Sequence, residues 1–260
     1  MTTDIKFNCA LVTGGAGGIG RAIAEYLISK GTRVLLAGRT ESNLKETTQL
    51  IGAAGYYVVD TGKINALSPF IAKITAEHPD LDCLVNNAAV QRVLDISDDA
   101  EYLEKADEEI DINIRGPMHL SIGLLPHLRA KSSAMITNVS SVLGFIPVSV
   151  VNPVYNATKA WIHFWTMNLR TQIAREGSNI RVVEIAPPMV ATDLHRDREN
   201  PDDNKKEFSP HTLTIEEFMA TIVPKFEAGE TLITAGIGEQ VVGGWNDAFG
   251  QRYLQMTGGK

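Results

Sequence analysis

Tyr155 and Lys159 stand four residues apart, with Asn156, Ala157 and Thr158 between them. On a helix that spacing places two side chains on one face. A phenol with a pKa near 10 is a poor base at neutral pH. A neighbouring ammonium favours the phenolate and lowers that value. The pair is therefore suited to passing one proton to and from a ligand. Far upstream lies a second element, Thr13-Gly14-Gly15-Ala16-Gly17-Gly18-Ile19-Gly20. A turn this rich in glycine lets backbone N–H groups approach a pyrophosphate, and a helix beginning there adds favourable partial charge. Each element alone is ordinary. A Tyr-x3-Lys pair is common on helix surfaces, and a glycine turn often only connects two elements. The turn gains weight from its place between an apolar strand-like run and a helical pattern near the N-terminus.

The end of the second strand-like run bears on which dinucleotide would bind. A carboxylate there would hold a ribose 2′-hydroxyl and repel a 2′-phosphate. The sequence instead reads Leu36-Ala37-Gly38-Arg39-Thr40, with no acid before Glu41. Arg39 offers a planar fork of donors to a phosphate. The expected cofactor is NADP(H), with NAD(H) the lesser candidate.

These residues need a scaffold, and the apolar pattern supplies one. Near-continuous apolar runs at Asn8–Thr13, Arg33–Gly38, Tyr56–Asp60, Asp82–Asn86, Ala134–Val139 and Ile180–Ile185, with a weaker one at Thr231–Thr234, read as strands covered on both faces. Helical patterns fall at about 19–30, 41–52, 64–77, 106–130 and 155–176. The alternation predicts an α/β fold, a single doubly wound parallel sheet of about seven strands with helices on both faces. Right-handed crossovers put the strand C-termini, and so the ligand, along one edge. The whole chain, 1–260, reads as one domain. His195–Pro210, HRDRENPDDNKKEFSP, breaks the texture. It is either a solvated surface loop or part of a substrate lid over about 193–228, since long irregular loops in compact domains are often functional.

Several motifs in order resemble the short-chain dehydrogenase/reductase family. They are Gly14-x3-Gly18-Ile19-Gly20; Asn86-Asn87-Ala88-Ala89, where the family usually ends in glycine; Asn113 in Ile112-Asn113-Ile114; Ser141 in Asn138-Val139-Ser140-Ser141; Tyr155-Asn156-Ala157-Thr158-Lys159; and Pro187-Pro188-Met189-Val190-Ala191-Thr192, where most relatives have Pro-Gly. The resemblance covers nearly the whole chain. It implies that Asn113, Ser141, Tyr155 and Lys159 are catalytic. It implies cofactor contacts from Gly14, Gly17, Gly18, Ile19, Gly20, Arg39, Asp60, Asn86, Asn87, Ala88, Tyr155, Lys159, Pro187, Val190 and Thr192. Asp60 would meet the adenine ring, Thr192 the nicotinamide carboxamide and Lys159 the nicotinamide ribose. Ser141 would donate to the substrate oxygen, and Asn113 would anchor a water joining Lys159 to solvent. Ser141 is preferred to Ser140 because it stands three residues before Gly144, as the family's serine does. A homodimer or homotetramer is also implied.

The expected activity is interconversion of a carbonyl and an alcohol, as in a ketone or aldehyde reductase. Val142, Leu143, Phe145, Val148 and Val190 would form an apolar substrate pocket. An imine reductase or epimerase on the same scaffold, and a non-enzymatic NADP(H) sensor, are the competing readings. The net charge of −7, without a basic stripe, argues against nucleic acid. The histidines show no metal-ligand spacing, so no metal is expected. Cys9 and Cys83 lie in strand-like runs and read as buried thiols. MTTDIKFN lacks the pattern of a signal peptide, and no apolar run suits a membrane span. A cytoplasmic location without membrane partners is expected. Trp161 and Trp165 read as packing residues. The segment from Trp245 to Met256 either caps the pocket or covers a subunit interface.

Overall fold

The computed structural model of the chain describes residues 6–97 and 99–258, so the leading residues read above as no signal peptide lie partly outside it. Seven parallel strands form one sheet in the order β3-β2-β1-β4-β5-β6-β7. They are β1 (Cys9–Thr13), β2 (Arg33–Gly38), β3 (Gly55–Val58), β4 (Leu81–Asn86), β5 (Ala134–Val139), β6 (Ile180–Ile185) and β7 (Leu232–Ile233). The order reverses between β1 and β4, which opens a crevice at their C-terminal ends. Alternate side chains of each strand feed different cores. Val12, Leu36, Val85 and Ile185 pack on one face against Ile23 and Leu27 of α1 (Gly18–Ser29) and Phe218 and Ile222 of α7 (Ile215–Ala228). Leu11, Leu35, Leu84 and Ile136 pack on the other against Leu67 of α3 (Ile64–Glu77), Leu120 and Leu124 of α5 (Gly116–Arg129) and Leu169 of α6 (Pro153–Arg175). Burial on both sides is why the strands read as continuous apolar runs rather than as alternation. The remaining helices are α2 (Glu41–Ile51), α4 (Asp99–Ile110), α8 (Gly238–Trp245) and α9 (Gln251–Thr257).

Three boundaries differ from the sequence expectation for physical reasons. β3 ends at Val58, because Asp60 turns the chain by accepting the Gly62 N–H at 2.9 Å. The helix expected over 106–130 begins earlier and is split into α4 and α5 by a π turn at Asp111–Arg115. Pro117 has no N–H to close the usual bond onto the carbonyl of Asn113. The ladder widens there, with the Gly116 N–H reaching Asp111. Asn113 thus sits in a π bulge, a distortion frequent at functional sites.

The third difference concerns the stretch 193–228. Its second half is α7, whose Phe218, Ile222 and Phe226 are core residues. Thr214 and Glu217 close a capping box at its start, satisfying two otherwise orphaned N–H groups. The C-terminal segment lies along α6. Trp245 packs edge-on to His163 at 4.4 Å, and the Tyr253 hydroxyl meets Thr171 Oγ1 at 2.8 Å and donates to Met167 O at 3.2 Å. Cys9 and Cys83 are free, buried thiols, and desolvation raises both above the usual thiol range. No described helix is long and apolar enough to cross a membrane.

Candidate active site

The glycine turn is held from beneath. Thr13 is buried at the end of β1; its hydroxyl donates to Val85 O at 3.2 Å and accepts the N–H groups of Asn87 and Ala88 at 3.0 and 3.1 Å. The Asn87 amide donates to Thr13 O and Gly14 O at 3.1 and 3.2 Å. Gly14 lies in the left-handed region at φ +63°, and a Cβ there would stand 2.8 Å from Asn87 Nδ2. A Cβ at Gly20 would collide with the same amide and with Gly14 O. Gly14 and Gly20 are therefore glycines because Asn87 packs against them. Gly17 and Gly18 differ: a Cβ at Gly17 would meet nothing within 4 Å, and one at Gly18 only the Thr192 side chain, at 3.3 Å. They form an open rim opposite Thr192. No side chain caps α1 at Gly17, so the N–H groups of its first turn suit an anionic ligand. This backbone cradle fits a dinucleotide pyrophosphate. Ile19 turns back to pack on the core beside Ala16.

The far end of the crevice is open and acidic. Asp60, Lys63, Glu101, Glu104, Glu108 and Asp111 border a recess of about 660 Å³. Arg39 stands at this end, with Nη1 3.4 Å from Glu108 Oε1. Glu108 also meets Arg92 at 2.7 Å.

At the other end the proposed reacting groups are enclosed. Lys159 is buried, donates Nζ–H to Val139 O at 2.9 Å and lies 5.4 Å from the centre of the Tyr155 ring. Tyr155 is buried beside Ser141, whose hydroxyl pulls the phenol down. Ser141 also accepts the Leu143 N–H at 3.2 Å and approaches Pro187 O at 3.5 Å. Ser140 points elsewhere, donating to Glu184 Oε1 at 2.6 Å. Gly144 explains how the serine loop reaches α6, since a Cβ there would stand 2.7 Å from the Lys159 carbonyl. Asn113 accepts the Val90 N–H at 2.9 Å, donates to Val90 O at 2.8 Å and to Thr158 Oγ1 at 3.2 Å. It fastens the loop after β4 to the Tyr155 helix.

Burial adds an influence on the ionisation of this group that spacing alone does not show. The Tyr155 phenol is pushed up, by desolvation first and by the Glu109 carboxylate second, with the Ser141 hydrogen bond pulling the other way. Lys159 is lowered to about 8 by desolvation, against the pull of Glu109 and Glu184. Desolvation thus opposes the charged form of both groups.

The remaining expected residues divide clearly. Asn86 donates to Ser121 Oγ at 2.9 Å and Asn138 Oδ1 at 2.8 Å, bracing β4 against α5 and β5. Pro187 O accepts the Val142 N–H at 3.0 Å, docking the loop after β6 onto the serine loop. Val190 is a core residue bridged to Leu213. Phe145 packs on His163 at 4.1 Å and Trp245 at 5.6 Å, whereas Val148 is exposed.

Sequence reasoning missed two groups. Glu109, on α4, is completely buried. A signal existed: Glu109 shares the inward face with Ala106, while Ile110 beside it is 36% exposed. The charged 195–210 stretch also turns inward. His195 and Asn204 are buried, and Asn204 donates to Thr192 O at 3.0 Å. Arg198 donates to Asp203 Oδ2 and Asn152 Oδ1, both at 2.7 Å, and to Gln91 Oε1 at 3.0 Å. Arg92 pairs with Asp197. These bonds draw the stretch across the loops that follow β4 and β5. No periodicity marks such pairings.

A family profile described as short chain dehydrogenase matches residues 8–203. An uncharacterized oxidoreductase of Bacillus subtilis (strain 168), DltE, is 35% identical over 230 residues, covering 87% of each chain. Among solved structures, serine dehydrogenase in its closed form with NADP+ is 27% identical with a TM-score of 0.75, covering 87% of this chain and 94% of its own. A short-chain dehydrogenase from Sphingobium yanoikuyae in complex with NADPH shares the fold at a TM-score of 0.81 and 22% identity, covering 96% of this chain and 95% of its own. Sheet order, glycine turn and extent of match agree, and the chain belongs to the short-chain dehydrogenase/reductase family of oxidoreductases.

Proposed function

We propose that this enzyme interconverts a carbonyl and an alcohol with NADP(H), acting as a ketone or aldehyde reductase. The observation that carries the reading is the enclosed trio of Tyr155, Ser141 and Lys159 at the same sheet edge as the open Gly17–Gly18 rim. Reduced nicotinamide supplies the hydride when bound. Tyr155 holds the proton at its hydroxyl and delivers it to the substrate oxygen. Ser141 offers its hydroxyl to that oxygen as negative charge develops, a contribution largest where water is excluded. Lys159 keeps positive charge beside the phenol as it loses its proton. Asn113 holds the loop after β4 in register with α6. Gly17, Gly18 and the first turn of α1 take the pyrophosphate, Arg39 a 2′-phosphate, and Thr192 the carboxamide end. Val142, Leu143 and Phe145 suit an apolar substrate. The lid comprises residues 193–214, because α7 is part of the core. A cytoplasmic homodimer or homotetramer completes the reading, supported by Phe164 and Phe249, which are 52% and 59% exposed on adjoining segments.

The test is turnover of a panel of ketones, aldehydes and diketones with NADPH and with NADH, followed by loss of reduced nicotinamide. Tyr155→Phe should lower kcat by about 10³-fold, within the range for a lost general acid, while NADPH fluorescence shows binding intact. Unimpaired turnover in that variant removes Tyr155 from the chemistry. If NADPH binds and no carbonyl reacts, the imine-reductase, epimerase and sensor readings take over.

A further inference from the structure

A buried carboxylate with an oxygen that has no hydrogen-bond partner among the described residues is unused in that reading. Glu109 lies on the last turn of α4, one turn before Asn113, with no exposed surface. Its Oε1 accepts the Arg92 N–H at 3.2 Å. Its Oε2 is buried and, among the described residues, has no hydrogen-bond partner. An unmatched buried carboxylate oxygen is costly unless the group holds a proton or meets a cation. Glu109 and Asn113 grip the same short piece of chain, one through Arg92 and the other through Val90. Asn113 continues to Thr158, the neighbour of Lys159. The helix that carries Glu109, α4, packs on α6, and the Glu109 charge acts on both Lys159 and Tyr155.

A second buried carboxylate, Glu184, also acts on Lys159 but is already committed. Ser140 Oγ donates to its Oε1, and His163 Nδ1 lies 2.9 Å from its Oε2. Of the two, only Glu109 keeps an oxygen free to take up and release a proton.

We propose that Glu109 is a positioning residue that holds a spare proton for Lys159 and so sets the pH range over which Tyr155 is recharged. The proposal rests on the reductase reading for its link to turnover. In the reductive direction the O–H bond of Tyr155 breaks and its proton goes to the substrate oxygen. Lys159 returns a proton to the phenolate through intervening hydroxyls or water. Glu109 gives its proton to Lys159, and solvent then reprotonates Glu109, so each turnover consumes one proton from water.

The groups facing Glu109 make this exchange feasible near neutrality. Burial raises its carboxyl to about 7, while Arg92 on the loop after β4 and Lys159 on α6 pull it down and Glu108 on its own helix pushes it up. Lys159 is lowered to about 8. Tyr155 faces Glu109 from α6, and Asp197 of the lid reaches it only through Arg92. Each acts on the other's charge, so a proton on one changes the affinity of the other.

The test is infrared difference spectroscopy of the full chain, wild type minus Glu109→Gln, from roughly pH 5 to 9 with isotope exchange. A protonated-carboxyl band should disappear with a midpoint near 7. That midpoint should move up in Lys159→Met, where the stabilising cation is gone. A midpoint in the ordinary range near 4.3, or one that Lys159→Met leaves in place, overturns the proposal. With a carbonyl substrate in hand, Glu109→Gln should lose the corresponding limb of the kcat–pH profile, and Glu109→Asp should restore it at a shifted midpoint. An equal loss at every pH marks Glu109 as purely structural and also overturns the proposal. If no carbonyl reacts, the reductase reading fails, and the infrared titration still decides whether Glu109 and Lys159 share a proton.

Discussion

The Tyr155 end and the Arg39 end of the crevice handle charge in opposite ways. At the first, Tyr155, Lys159, Asn113 and Glu109 are enclosed, and Gly144 is packed against the Lys159 backbone with no space to spare. At the second, Arg39 and Glu108 are 44% and 42% exposed, and Glu108 borders an open recess. The same charge is therefore worth very different amounts at the two ends. Desolvation moves Lys159 to about 8 and Glu109 to about 7. An exposed pair such as Arg39–Glu108 is screened by water and salt, and its coupling is about 0.2–1 kcal/mol. The lesson is that packing governs charge at the Tyr155 end, whereas water governs it at the Arg39 end.

Three substitutions sharpen that contrast. The largest effect is expected from Gly144→Val. Its new Cβ meets the Lys159 carbonyl, which is backbone and cannot step aside. Overpacking of this kind costs about 3 kcal/mol, read as a lower urea midpoint, and it should carry Ser141 away from Tyr155 with loss of turnover. Unchanged stability and turnover would mean that the serine loop does not dock on α6 as described. The next effect is expected at Arg39. Arg39→Ala should weaken NADPH binding about tenfold while leaving NADH almost unchanged, because a charge-assisted phosphate contact is worth about 1.5–3 kcal/mol before screening. Equal losses for both cofactors would detach Arg39 from the 2′-phosphate. Glu108→Gln should have the smallest effect and the opposite sign. Freed from its carboxylate neighbour, Arg39 should bind NADPH about two- to fivefold more tightly, a gain that fades as salt is raised. A large change that is insensitive to salt would break the comparison, since it would make the Arg39 end as dry as the Tyr155 end.

Much of the fold and of the reacting end is legible in the chain itself. Strand runs buried on both faces carry an unmistakable pattern, and the glycine turn is placed by the strand and helix on either side of it. Helical spacing puts Tyr155 and Lys159 on one face, and the family resemblance gives that face its expected role. The division of labour among the glycines is not legible there, because it depends on Asn87, just past the end of β4, packing over Gly14 and Gly20 from 73 and 67 positions away. The π bulge at Asn113 has a local cause in Pro117, yet its consequence, a side chain tying Val90 to Thr158, is tertiary. The charged run after β6 reads as solvated because sequence shows its charges but not their partners. Arg198 finds Gln91 and Asn152 only once three loops meet at one sheet edge.

Sequence by itself determined the elements, their parallel order and the kinds of groups gathered at the strand ends, since periodicity and turn chemistry are local properties of the chain. Tertiary structure alone decided how far each of those groups is withdrawn from water. Proton affinity depends on water excluded by residues distant in sequence. Burial pushes the Tyr155 phenol and the Glu109 carboxyl up and Lys159 down, an influence that helical spacing does not show.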